Sequence, residues 1–167
     1  MKVGIITASD KGSKGERVDL SGPAIEEMVA AIGGEVAAYE IVPDDFEALK
    51  AAMIRMADEV GCHLIFTTGG TGFSKRDVTP EATMAVAERN APGIAEAMRA
   101  ASLKITNRAM LTRAASVIRG DSIIINLPGS PKGVKECLEV ILPALPHGVQ
   151  ILTGEASECA QPAGSTR

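Results

Sequence analysis

The sequence predicts an α/β fold, a mainly parallel sheet covered by helices on both faces. Three observations predict it. Short apolar runs alternate with amphipathic stretches in the order β, α, β, α, β through residue 67. Each early apolar run ends in a polar punctuator before the next helical pattern. Hydrophobic residues make up 46% and charged residues 23% of 167 residues, enough for one packed core in one domain.

Residues 3–8 read as a buried strand, followed by a polar loop from Ser9 to Arg17. Ser21-Gly22-Pro23 reads as a helix start with Pro23 at the first helical position, and Ile25, Met28, Val29 and Ile32 mark its apolar face. Gly33-Gly34 ends that helix. Residues 36–42 form a second strand, broken by Pro43-Asp44-Asp45. Phe46, Leu49, Met53, Ala57 and Val60 mark a second helix that Gly61 stops. Residues 64–67 are short and apolar, as a buried parallel strand is. Thr79-Pro80-Glu81 opens a further helix, with Thr79 as N-cap and an acid in the first turn. Residues 93–103 read as helical. Residues 115–118 and 123–126 read as strands of a hairpin turning at Gly120-Asp121. A last helix carries Val134, Cys137, Leu138 and Ile141 on one face and is interrupted at Pro143 and Pro146.

Charge and composition remove several classes of function. A net charge of −4 and a pI near 5.3 argue against a general nucleic-acid binder, which needs a basic face for phosphates. Aromatic residues are 2% of the chain, so stacking platforms for single strands are nearly absent. No apolar run reaches membrane-spanning length, and the opening residues read as a strand rather than a signal peptide. Cys62, Cys137 and Cys159 are widely spaced, so neither a disulfide framework nor a zinc site is expected. A reducing, cytoplasmic setting fits. His63 and His147 read as structural.

Ligands of open α/β sheets bind beyond the carboxyl ends of the strands, and three loops there carry candidate chemistry. Thr68-Gly69-Gly70-Thr71-Gly72 is the strongest, because glycines let backbone N–H groups approach an anion. Its other reading is a tight turn. It matches neither the Walker A pattern nor the dinucleotide fingerprint, which disfavours a nicotinamide-dependent oxidoreductase. A Gly70→Val change is expected to weaken nucleotide binding while the fold stands. Asp77, beside Lys75 and Arg76, reads either as a Mg²⁺ ligand or as an exposed charge bracing a helix start. Asp44 reads as a helix N-cap with Glu47 at the reciprocal position, or as a second carboxylate at the same sheet edge. In the loop from Asn126 to Lys132, Ser130 and Pro131 stand at a helix N-terminus and Lys132 adds a mobile charge, an anion site or ordinary capping. The first of the three loops offers Ser9, Asp10, Lys11 and Lys14, a ligand site or a solvated mobile loop. No nucleophile with an evident base stands out. That suits phosphoryl or nucleotidyl transfer, where the substrate brings the nucleophile.

These stretches converge on one likeness. Thr67 to Gly72, Arg76-Asp77-Val78-Thr79-Pro80-Glu81-Ala82-Thr83 and Asn126-Leu127-Pro128-Gly129-Ser130-Pro131-Lys132 resemble the MogA/MoaB family of molybdenum-cofactor biosynthesis. Ser9-Asp10 and Asp19-x-Ser21-Gly22-Pro23 match as well. The resemblance covers residues 1–154, leaving 155–167 as a flexible polar tail. It implies a three-layer α/β/α sandwich, a homotrimer or hexamer, and transfer of AMP from ATP to the terminal phosphate of molybdopterin with release of pyrophosphate. It implies Mg²⁺ on catalytic Asp44 and Asp77. It assigns phosphates to Thr68, Gly69, Gly70, Thr71, Gly72, Asn126, Pro128, Gly129, Ser130 and Lys132, and the pterin to Ser9, Asp10, Ser21 and Gly22. A molybdenum-inserting enzyme is the implied partner. The alternative is a non-catalytic, pterin-binding MoaB-type scaffold of the same fold.

Overall fold

The computed structural model describes residues 1–156. Cys159 and most of the expected tail, residues 157–167, lie outside the described residues.

A six-stranded sheet runs in the order β2-β1-β3-β6-β5-β4. Strands β1 (Lys2–Ala8), β2 (Glu35–Val42), β3 (Leu64–Thr68) and β6 (Ser122–Leu127) are mutually parallel. Strand β5 (Ser116–Arg119) pairs antiparallel with β6 through the expected turn at Gly120-Asp121, and with the two-residue β4 (Arg89–Asn90). Helices cover both faces, as expected.

The strands obey a period of two. Val3, Ile5, Leu64, Phe66, Ile123, Ile125 and Leu127 face α2 (Ser21–Ala30), α5 (Pro92–Leu103), α6 (Pro131–Ile141) and α7 (Leu145–Leu152) in one core. Ile6, Ala8, Ile65 and Ile124 face α3 (Phe46–Ile54) and α4 (Thr79–Val86) in the other. From β1 the chain passes over one face to β2. It then returns over the opposite face to β3, on the far side of β1. The loops leaving β1 and β3 therefore diverge, which opens a crevice at their carboxyl ends.

Three helix starts differ from expectation. Helix α2 begins at Ser21, not Pro23, because Asp19 Oδ1 accepts the Ser21 and Gly22 N–H groups at 2.8 and 3.1 Å. Asp45, not Asp44, caps α3 by accepting the Ala48 N–H at 2.9 Å, which leaves Asp44 free for other partners. Thr79 is the first residue of α4 rather than its cap, and its hydroxyl donates to the Gly69 carbonyl at 3.0 Å. The short helix α1 (Asp10–Ser13) replaces part of the expected loop.

Candidate active site

A cleft of about 400 Å³ opens over the ends of β1 and β3. Its two banks belong to the two helical layers. One bank leads into α3 and α4 and carries Asp44 and Asp77. The other leads into α2 and α6 and carries Arg17, Val18, Asp19, Leu20, Ser21, Gly129 and Pro131. Ser9, Thr68, Gly69 and Gly70 lie between them.

The glycine turn is required by its surroundings. Gly69 and Gly70 have φ of +92° and +64°. A Cβ on Gly69 would stand 2.5 Å from the Ala8 carbonyl oxygen, and one on Gly70 would stand 2.3 Å from Thr79 Oγ1 and 3.2 Å from Asp44 Oδ1. Gly70→Val therefore strains the fold as well as the cleft, contrary to the expectation that it would isolate nucleotide binding.

Hydrogen bonds stitch the loops together. Asp44 Oδ2 accepts the Asp10 N–H at 3.0 Å, and Asp10 Oδ1 accepts the Asp44 N–H at 3.1 Å. Arg76 donates to both Asp10 oxygens, at 3.1 and 2.8 Å. Thr68 donates to the Pro128 carbonyl at 2.7 Å and Ser21 to the Gly129 carbonyl at 3.0 Å. Ser9 caps α1 by accepting the Gly12 N–H at 2.9 Å, and Thr7 donates to Asp19. Among the described residues, every hydroxyl-bearing residue lining the cleft takes part in a hydrogen bond, Thr7, Ser21 and Thr68 as donors and Ser9 as an acceptor, and no histidine lines it.

The carboxylates differ in their electrostatics. Burial is the main cause pushing Asp44 above its ordinary value. The Asp10 N–H opposes this, while the charges of Asp10 and Asp77 add to it. Burial likewise pushes Asp19 upward, but hydrogen bonds from Thr7, Tyr39, Gly22 and Ser21 together outweigh it and hold its carboxyl below the ordinary range. The bidentate Arg76 contact lowers Asp10. Asp77 Oδ2 accepts the Ser74 N–H at 3.0 Å.

The expected site residues divide among three places. Asp44, Asp77, Thr68, Gly69, Gly70, Gly129, Ser9 and Ser21 share the cleft. Asn126, Pro128, Ser130 and Lys132 border a second cavity, of about 490 Å³, between α5 and α6. It is largely apolar, with Met98, Ile105, Ala109 and Ala114 beside the cations Arg99, Arg108 and Lys132 and the carboxylate Glu136, which pairs with Lys132 at 3.8 Å. The fully buried Asn126 amide is spent, donating to Thr67 and Thr83 at 2.9 and 2.8 Å and accepting the Ala115 N–H at 3.0 Å. Thr71, Gly72, Asp10 and Gly22 line neither. Asp10 brackets loops, and Gly22 leaves room for Tyr39, whose hydroxyl oxygen would lie 2.2 Å from a Cβ there.

Several residues here carried no candidate role in the sequence. Asp19 was legible as an Asp accepting from the backbone two residues on, a turn signature in Asp19-x-Ser21. Arg113 braces the glycine loop, donating to the Gly72 and Asp77 carbonyls at 2.7 and 2.6 Å and pairing with Glu81. No local pattern marks it, because its partners are 32 to 41 residues away. Arg17 also lacked a signal.

Comparison with known proteins gives a consistent answer. Residues 4–147 match the family described as a probable molybdopterin binding domain. The molybdopterin adenylyltransferase of Helicobacter pylori is 46% identical over 154 residues, 91% of this chain and 88% of that protein. That of Escherichia coli is 38% identical over 174 residues, 96% and 89% of the two chains. The molybdopterin biosynthesis enzyme MoaB from Thermus thermophilus superposes with a TM-score of 0.87 at 50% identity, over 92% of this chain and 96% of that one. The chain belongs to the MogA/MoaB family of molybdopterin-binding proteins of molybdenum-cofactor biosynthesis.

Proposed function

We propose that this protein is a cytoplasmic molybdopterin adenylyltransferase whose catalytic unit spans residues 1–154. In the proposed reaction a terminal phosphate oxygen of molybdopterin attacks the α-phosphorus of ATP. The new O–P bond forms as the bond to the β-phosphate bridging oxygen breaks, and pyrophosphate leaves with that electron pair. One observation carries the reading. The cleft pairs a glycine turn and two carboxylates with hydroxyls that serve the fold, Thr7, Ser21 and Thr68 as donors and Ser9 as the cap of α1, which suits an acceptor that brings its own nucleophile. A phosphate monoester does.

The Gly69-Gly70 turn would cradle the triphosphate with backbone N–H groups. Two carboxylates, completed by substrate phosphate oxygens, suit Mg²⁺, which uses few protein ligands; among the described residues no cluster of three or more His, Cys, Asp or Glu is set to hold a metal. Asp44 and Asp77 would hold the ion. It would offset charge on the departing pyrophosphate. The second cavity, apolar with three cations and Glu136 on its border, would hold the pterin ring system, whose phosphate then crosses the Pro128-Gly129-Ser130 ridge into the cleft.

Exposed Leu103, Ile105, Met110 and Leu111 on α5 and the turn after it support a homo-oligomer, a trimer or hexamer. The adenylylated product would pass to a molybdenum-inserting enzyme. The test is incubation with molybdopterin, ATP and Mg²⁺, with chromatography of products. Adenylylated molybdopterin and pyrophosphate in equal amounts are expected. Pterin binding without product would give the protein a scaffold role.

A further inference from the structure

Among the described residues the cleft has one cation of its own: of those lining it only Arg17 carries a positive charge, against Asp19, Asp44 and Asp77. The other arginines near it are committed. Arg76 is held by Asp10, and Arg113 by Glu81 and two loop carbonyls. Arg17 is exposed, and among the described residues it makes no hydrogen bond or ion pair.

Its backbone is held at both ends. Glu16 N–H donates to the Lys11 carbonyl at 2.9 Å, closing the turn after α1. Asp19 is fixed by Thr7, Tyr39 and the start of α2. Between them, among the described residues, Arg17 and Val18 make no backbone bond, so the side chain is presented on a short strap fixed at both ends. That strap lies on the bank opposite Asp44 and Asp77.

In-line displacement places nucleophile and leaving group on opposite sides of the phosphorus. The carboxylate bank is the side suited to the leaving pyrophosphate. The acceptor then arrives from the other bank, and its phosphate meets ATP, an anion against an anion. We propose that Arg17 binds the terminal phosphate of the incoming acceptor, a phosphate monoester, and holds it against that repulsion. A guanidinium suits this because it donates two parallel hydrogen bonds and keeps its charge. The proposal rests on the adenylyltransferase reading above.

The test compares wild type, Arg17→Gln and Lys14→Gln, the last removing a charge from the same segment but outside the cleft. Anaerobic calorimetry measures binding of molybdopterin and of its dephosphorylated form, and steady-state assays measure KM for each substrate. Arg17→Gln should weaken molybdopterin binding about 10- to 100-fold, the worth of a hydrogen bond between charged groups. Dephosphorylated pterin should bind the variant as it binds wild type, and the KM for ATP should stay within about twofold, well below that charged-bond effect. Lys14→Gln should match wild type. Unchanged molybdopterin binding in Arg17→Gln would overturn the proposal. So would an equal loss for the dephosphorylated ligand, an effect confined to ATP, or an equal loss in Lys14→Gln. If wild type makes no adenylylated product, the functional reading fails, yet the calorimetric pair still decides the role of Arg17.

Discussion

The two banks of the cleft are built in opposite ways. On the bank of α3 and α4, burial and like charge work against the carboxylates, and Asp44 sits above its ordinary protonation range. On the bank of α2 and α6, Asp19 is as central, yet it collects four hydrogen bonds and sits below that range. The first bank keeps negative charge in a place that only a cation or proton relieves. The second spends its carboxylate on fixing a loop and leaves an arginine free. A site that joins two phosphates needs both, one bank to take up positive charge with the nucleotide and one to supply it to the acceptor.

The largest effect that would break this comparison is on the first bank. Asp77→Asn should lower turnover by about 10²- to 10³-fold, the scale of losing one preorganised electrostatic partner. Asp44→Asn should do the same, and both should keep their thermal stability. Turnover equal to wild type in a folded variant would remove the carboxylates from the mechanism. Because α3 and α4 sit on one face, the double variant should lose little more than either single one, as expected when two ligands serve one ion.

A smaller effect belongs to the apolar cavity beyond the second bank. Ala109→Phe should fill part of it and raise the KM for molybdopterin about tenfold, near 1.4 kcal/mol of lost binding. The KM for ATP should not move, because the cleft lies across the Pro128-Gly129 ridge. A rise for ATP instead would reverse the assignment of the two cavities.

How much of this was legible depends on the range of the interactions. The continuous apolar run of residues 3–8 and the amphipathic faces of α2, α3 and α6 are local, and they read correctly. The Thr68–Gly72 turn was legible because only glycine tolerates the φ of residues 69 and 70. Helix starts slipped by a residue or two, because side chains expected to cap found distant partners instead. Thr79 bonds Gly69, and Asp44 bonds Asp10. Asn126 read as a phosphate contact only through the family resemblance. In space its amide braces Thr67 and Thr83. Arg17, Arg113 and the cavity between α5 and α6 depend on contacts across the fold, and no window of sequence contains them.

The smallest effect separates the banks by stability alone, measured with chelator present so that no metal contributes. For Asp19 the folded value lies below 3.8, so between the two values the unfolded chain binds more protons. Its stabilisation is present above pH 3.8 and is lost as pH falls through the lowered value. For Asp44 the folded value lies above 3.8, and the folded chain binds more protons in that window. Stability therefore falls as pH rises through the raised value, and at pH 7 the Asp44 charge is a cost. Asp19→Asn should lose on the order of 1–2 kcal/mol at pH 7, since one amide oxygen cannot replace a carboxylate accepting from two hydroxyls and two N–H groups. Asp44→Asn should match or exceed wild type by about 1–3 °C in Tm, because its amide oxygen still accepts the Asp10 N–H while the repulsion from Asp10 and Asp77 is gone. The Asp44 difference from wild type should shrink as pH falls through the raised value toward 3.8, and the Asp19 difference as pH falls below 3.8 through the lowered value, where each native carboxyl approaches the neutral form its variant mimics. Melts across pH 3 to 8 decide it. An Asp44→Asn protein that melts well below wild type at pH 7 would show that the charge itself supports the fold, and the contrast between the banks would be lost.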